Sequence, residues 1–363
     1  SWGLGVLAAG LKPDAISAGF PSSLLLTLLG VTLLFALAEE NGTLGAIAHR
    51  ALALVRDPRL VPPFLFVLGA ILSGIGPGAV AATALMAPVA TAIGLRAGAP
   101  AFLVALMIAN GANAGNLSRI SSVGIIARDG MAKAGLVGYE GKVFVANFVA
   151  HLLVGTLAWL ALGRQVKGRV VETASADAGS PFTSARILTA VVLAAWVAAT
   201  LAFGLPVGFS ALAASSLVIL GGLANETAAL RRIPWGVIVM VTGMSTLVAV
   251  LEKTGGMSLV TGLLAALSSA GTVNGAVAFV TGLISTWSST SGVVMPAFLP
   301  TSTALAEKVG GDPLAVALSI NVASSPVDVS PLSTIGALCV AAVPDPEMAR
   351  ALFRRMMIWG LSM

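Results

Sequence analysis

Between Arg186 and Glu226 the chain runs thirty-nine residues without one ionisable side chain. A soluble fold has no way to cover such a stretch, and a bilayer accepts it only as helices or a closed barrel. Gly204-Leu205-Pro206 divides it into two runs, Ala185–Phe203 and Val207–Leu223. Each is near the ~20 residues with which a helix crosses a ~30 Å hydrocarbon core. Similar runs lie at Ser22–Ala38, Val143–Gly163 and Trp235–Leu251, with a shorter one at Ala349–Met363. A barrel would instead alternate apolar and polar residues over about ten positions, between aromatic girdles. The chain therefore reads as an all-α polytopic membrane protein. Only 10% of its residues are charged, against about 25% in soluble domains, which excludes a soluble enzyme. Its net charge of +5 is scattered over loops, without the clustered basic face that nucleic acid requires. One cysteine, Cys339, and two distant histidines, His49 and His151, leave no intrachain disulfide and no metal-ligand set.

An internal repeat organises the rest. Pro21, Gly30, Thr32, Glu39 and Gly42 recur as Pro234, Gly243, Ser245, Glu252 and Gly255, an offset of 213. Ser73, Pro88, Ala105, Leu106, Ser118, Ser121, Ser122 and Gly124 recur as Ser285, Pro300, Ala317, Leu318, Ser330, Ser333, Thr334 and Gly336, an offset of 212. The chain reads as a duplication. Residues 1–164 form repeat 1, with a hairpin at 60–94 and a broken helix at 100–127. A cytoplasmic linker follows at 165–184. Repeat 2 covers 185–363, with a hairpin at 273–309 and a broken helix at 313–343. Each repeat also carries an interfacial amphipathic helix, Leu44–Val55 in the first, with apolar residues at helical spacing and Arg50 on the other side. With re-entrant hairpins, each repeat has five spans, and an odd number places the two repeats in inverted orientation. Sorting the basic residues on this topology puts thirteen on the side of the first interfacial helix, six opposite and Arg119 within a break, so that side is cytoplasmic. By the same offset, the first-half mate of Ala185–Phe203 falls ahead of Ser1, and the native chain is expected to carry roughly 25–35 further N-terminal residues.

The interrupted segments carry the chemistry, because irregular backbone at membrane depth must be buried in protein or line a cavity. The first hairpin turns at Ser73-Gly74-Ile75-Gly76-Pro77-Gly78 and the second at Ser285-Thr286-Trp287-Ser288-Ser289-Thr290-Ser291-Gly292, which is dense in hydroxyls. Free N–H groups at such tips, with the positive ends of half-helices, suit an anion. Breaks in the helices at Asn110–Arg119 and Ser324–Pro331 offer amide, hydroxyl and carbonyl oxygens to a hard cation. The expected anion ligands are Ser73, Gly74, Gly76, Gly78, Ser288, Ser289, Thr290, Ser291, Asn113, Ser118, Arg119 and Ser330. The expected cation ligands are Asn110, Asn116, Ser325 and Asp328. Arg119 has a planar fork matched to a carboxylate, and is expected to face the cavity; a structural bridge to Asp328 is the alternative. Glu39 and Glu252 are expected to cap the turns before Gly42 and Gly255, and His151 to be a bonded core residue.

Phe20-Pro21, Asn41-Gly42-Thr43, Ser73-Gly74-Ile75-Gly76-Pro77-Gly78, Ala82-Thr83-Ala84-Leu85-Met86-Ala87-Pro88 and Gly111-Ala112-Asn113-Ala114-Gly115 resemble the malonate/dicarboxylate carrier (MatC-like) family. That family belongs to the ion-transporter superfamily, with divalent anion–sodium symporters as relatives. The resemblance covers the first repeat. It implies a homodimer in the cell inner membrane, with a fixed scaffold and a mobile elevator domain. It also implies one small organic anion, a dicarboxylate such as malonate or succinate, with Na⁺ or H⁺ as the coupling ion and no other cofactor. The Ser-Asn-Thr tips of the symporter relatives are replaced here by Gly78-Ala79-Val80 and Thr290-Ser291-Gly292. An exporter or Na⁺/H⁺ exchanger of the same superfamily is the alternative within transport. An intramembrane enzyme is the alternative of another class, and it lacks a Ser–Lys, Asp–Asp or His–Glu pair within the spans.

Overall fold

The computed structural model describes residues 6, 12–17, 19–53, 55, 57–166 and 183–363, and among them the regular elements are helical. Most of the expected linker therefore lies outside the described residues. A short α1 (Pro13–Ser17) precedes α2 (Ser22–Glu40), α3 (Thr43–Ala53), α4 (Val61–Gly74), α5 (Gly78–Arg96), α6 (Ala101–Gly115), α7 (Ser122–Lys133) and α8 (Glu140–Leu162). Next come α9 (Ser184–Phe203), α10 (Val207–Leu220) and α11 (Glu226–Arg232). The chain ends with α12 (Trp235–Lys253), α13 (Gly256–Ala266), α14 (Val273–Trp287), α15 (Met295–Phe298), α16 (Ser302–Val309), α17 (Pro313–Val327), α18 (Thr334–Ala341) and α19 (Pro346–Ser362). Several of these bounds follow the offsets read in the sequence. Shifted by the first offset, α2 and α3 coincide end for end with α12 and α13. Shifted by the second, α6 coincides with α17, and the starts of α4 and α7 fall on those of α14 and α18.

Local chemistry explains these boundaries. Pro21 and Pro234 precede α2 and α12, where a missing N–H costs nothing. Asp312 caps α17, its carboxylate accepting from Leu314 N and Ala315 N, both at 3.2 Å. Asn41 stops α2 and ties it sideways. Its Nδ2 donates to Thr189 Oγ1 on α9 at 2.8 Å and to Leu223 O at 3.2 Å, while Arg186 Nε donates to Asn41 O at 2.9 Å. Glu39 does not cap this turn. It pairs instead with Arg232 of α11 at 3.0 Å, and Glu40 accepts from Asn225 N at 2.8 Å, so the end of α2 is clamped to the second half.

Among the described residues, five helices are long and apolar enough to cross a membrane: α2, α5, the α8 segment Glu140–Gln165, α9 and α12. Two expectations shift. Helix α10 has 14 residues, about 21 Å at 1.5 Å per residue, short of the full span expected over Val207–Leu223. Helix α5, expected as one arm of a re-entrant hairpin, has 19 residues with Pro88 inside, and is long enough by itself to cross.

Helices α4 and α6 form the closest seam in the molecule. A Cβ on Gly111 would stand 2.3 Å from Phe66 O, and one on Gly115 would stand 2.0 Å from Ala70 O, so the two backbones touch where the glycines fall. The second pieces of the broken helices cross over. Helix α18 packs on α5 and α6 of the first half, and α7 packs on α15 and the turn that follows it. Each break is thereby held between its own hairpin and elements of the other half.

Candidate functional site

Both breaks begin later than the sequence suggests. Helix α6 continues through Asn110 and Asn113 to Gly115, and the irregular backbone is Asn116–Ser121; its counterpart is Asp328–Ser333. The two have the same local structure. Asn116 N donates to Asn113 O at 3.3 Å and Asp328 N to Ser325 O at 3.2 Å. Ser118 N donates to Gly115 O at 3.2 Å, and Ser330 N to Val327 O at 2.8 Å. Ser121 N donates to Ser118 O at 3.2 Å, and Ser333 N to Ser330 O at 3.0 Å. Donors and acceptors alike in the second half are the repeat mates of those in the first. Gly124 and Gly336 each press on the carbonyl of Ser118 and Ser330, at 1.9 and 2.0 Å from where a Cβ would be.

One contact joins the halves at this level. Asn113 Nδ2 donates to Ser325 O at 3.3 Å, and these two residues are themselves mates in the repeat.

The first tip is fastened to the first break. Ser118 Oγ donates to Gly74 O, and Ser122 donates from N to Gly76 O at 2.9 Å and from Oγ to Pro77 O at 3.0 Å. Gly78 has a φ of +80° and no room for a side chain, since a Cβ would lie 2.3 Å from Ser122 Oγ. Gly76 lies under the Phe35 ring of α2. At the second tip, Ser285 and Thr290 are hydrogen-bonded to each other, and one of the two hydroxyls donates to Ser324 O, which lies 2.8 Å from Ser285 Oγ and 3.1 Å from Thr290 Oγ1. Ser288 Oγ donates back to Ile284 O at 2.9 Å, and Ser289 Oγ accepts from Gly292 N at 3.0 Å, capping the wide turn Thr290–Val294. The density of hydroxyls here thus has a structural use: it stitches an irregular turn to α17.

The two tips share a narrow cavity of about 30 Å³, lined by Pro77, Ala79 and Ser122 on one side and Ser291, Pro234 and Ile238 on the other. An adjoining cavity of about 20 Å³ shares Thr32, Pro77, Ala81 and Pro234 with it and reaches Glu39 and Arg232. Around the tips, the buried Ser73 Oγ, Ser121 Oγ and Asp328 Oδ1 have no hydrogen-bond partner. Asp328 is 7% exposed and lies beside the hydroxyls of Ser333 and Thr290. A buried carboxyl with an unmatched oxygen is neutralised either by a proton or by a cation beside it.

Two expected ligands stand elsewhere. Arg119 is exposed, forms no ion pair with Asp328, and lies outside the lining of both cavities. The turn directs Ser118 and Ser121 toward the tip and leaves Arg119 outward, so the bridge to Asp328 is absent too. Asn110 is one helical turn above the break with both amide ends engaged: Nδ2 donates to Leu106 O at 2.9 Å and Oδ1 faces His151 Nδ1 at 2.9 Å. Ser325 Oγ donates to Asn321 O at 3.0 Å, which leaves its carbonyl toward Asn113. Ser330 is buried beneath Gly360 of α19, where a Cβ would come within 2.8 Å.

The residue missed in the sequence is Asn147 on α8. It is fully buried, and its Nδ2 donates to Asn113 O at 2.7 Å. Asn147 and His151 lie four apart in an otherwise apolar span, and that spacing places both polar groups on the face toward α6.

Residues 1–116 match the family model described as the dicarboxylate carrier protein MatC N-terminus. Over that region the chain is MatC-like. The match takes in α2, the whole first hairpin and α6, and it stops at Asn116, where the first break opens. The matched model is that of a dicarboxylate carrier, so over residues 1–116 the chain is similar to a transport protein for a small organic anion rather than to an enzyme. Together with the five spanning-capable helices, it makes the chain a multi-pass membrane protein. No curated protein matches the chain.

Proposed function

We propose that this MatC-like protein is a cation-coupled secondary transporter that moves a dicarboxylate such as malonate or succinate by an elevator motion, as a homodimer in the cytoplasmic membrane. The observation that carries the reading is the pair of equivalent breaks. They repeat bond for bond and meet at Asn113 and Ser325, beside a cavity that Pro77 and Ser291 of the two tips share. A duplication with an odd number of crossings per copy presents one site alternately to each side. Tip N–H groups and the Ser291 hydroxyl are the donors for a carboxylate, and Asp328 supplies the negative charge for the coupling cation.

Purified protein in liposomes, loaded with labelled malonate or succinate under an imposed Na⁺ or H⁺ gradient, tests this. Uptake that follows one gradient and is competed by unlabelled dicarboxylate is expected. Uptake indifferent to both gradients would remove the coupling, and none for any dicarboxylate would remove the substrate class. Efflux driven by an inward H⁺ gradient would favour the exporter instead.

A further inference from the structure

Asn116 and Asp328 are mates in the repeat, at the first residue of the two breaks. Their backbones make the same bonds, yet the two cradles are filled differently. In the first, Asn116 Nδ2 donates to Asn113 Oδ1 at 3.0 Å, and Asn147 Nδ2 donates to Asn113 O at 2.7 Å and reaches Asn116 Oδ1 at 3.5 Å. A hard cation needs several bare oxygens, and here each of those oxygens already receives an N–H. Asn147 Oδ1 has no partner, so donation into the cradle is what holds this fully buried side chain. No formal negative charge stands among these amides, and an uncompensated cation in such a place is costly. In the second cradle, the helix that packs behind the break, α19, presents Gly360 to Ser330. No side-chain amide enters from that helix, and Asp328 Oδ1 is left unmatched.

We propose that Asn147 is a positioning residue that closes the first cradle with its amide, so that each protomer takes a single cation, at Asp328. A single cation presupposes the cation-coupled reading given above, and the test separates the two. Equilibrium binding of radioactive Na⁺ to the purified protein counts sites directly, with circular dichroism and gel filtration reporting the fold. The wild type is expected to bind one Na⁺ per protomer, and Asp328→Asn none. Asn147→Asp replaces the donor with charged oxygens and is expected to bind two. Should that variant fail to fold, Asn116→Asp combined with Asn147→Ala supplies the charge and removes the donor by another route, again with two sites expected. Two sites in the wild type, or a count of one in both folded variants while Asp328→Asn binds none, overturns the role of Asn147 alone. No binding in the wild type, or one site surviving in Asp328→Asn, overturns the assignment of the cation to Asp328 and this inference with it.

Discussion

Gly111→Ala and Gly243→Ala are the same substitution in the middle of two apolar helices, and the structure assigns them opposite signs. At Gly243 nothing lies within 4 Å of the new methyl group. Helix propensity then acts alone and stabilises by about 0.5–1 kcal/mol. At Gly111 the methyl would stand 2.3 Å from Phe66 O and 2.7 Å from Phe66 Cα. Ordinary contact begins at 3.4 Å, so α4 and α6 must part by about 1 Å, and neither backbone can swing aside as a side chain would. Overpacking of this kind costs about 1–3 kcal/mol. The propensity gain is common to both variants, so the difference in their stabilities isolates the steric cost. Thermal unfolding of both proteins in the same detergent, beside the wild type, measures it. The Gly111 variant should melt below the wild type and the Gly243 variant at or above it. The shift also moves Asn113 and Gly74 apart, so transport should fall in the first variant only. Equal melting temperatures for the two variants would refute backbone contact along the α4–α6 seam.

Asn113→Ala should cost about 1–3 kcal/mol, because Ser325 O and Asn116 Nδ2 both lose a buried partner; Ser325→Ala removes one hydroxyl bond and should cost less in the same melts. Gly292→Ala should be tolerated in transport assays, since the methyl meets the flexible end of Met240 and otherwise only the Ser289 hydroxyl, at 3.1 Å. Gly76→Ala should not be, since it meets the Phe35 ring edge at 2.0 Å. Glu39→Gln removes a pair whose side chains are 29% and 46% exposed; a stability loss of no more than about 1 kcal/mol, shrinking with added salt, is expected.

The helix boundaries were largely legible in the sequence, because the signals that set them are local. Pro21, Asn41-Gly42 and Pro100 mark the same edges as their mates in the second half, and α2, α3 and α6 end where α12, α13 and α17 do. The start of each break was not legible. Asn and Gly lower helix propensity by about 1 kcal/mol each at most, and α8 offsets that by meeting Asn110 with His151 and Asn113 with Asn147, so the helix runs on to Gly115. The second tip misled for a related reason. Six hydroxyls among the eight residues from Ser285 to Gly292 suggest a ligand, but a turn of irregular backbone needs partners of its own, and Ser288, Ser289 and Thr290 supply them. The orientation of Arg119 depends on how the break turns around Ser118, which no pattern of residue types reports. The cavity shared by Pro77 and Ser291 is likewise a product of the crossing of the two halves, visible only once they are packed.

A density map of the protein with saturating malonate tests the central claim most directly. The account predicts ligand density between the two hairpin tips, bounded by Pro77, Ser122 and Ser291 and level with the Asn113–Ser325 contact. Density at another place in a transport-competent sample, with this cavity empty, would contradict it.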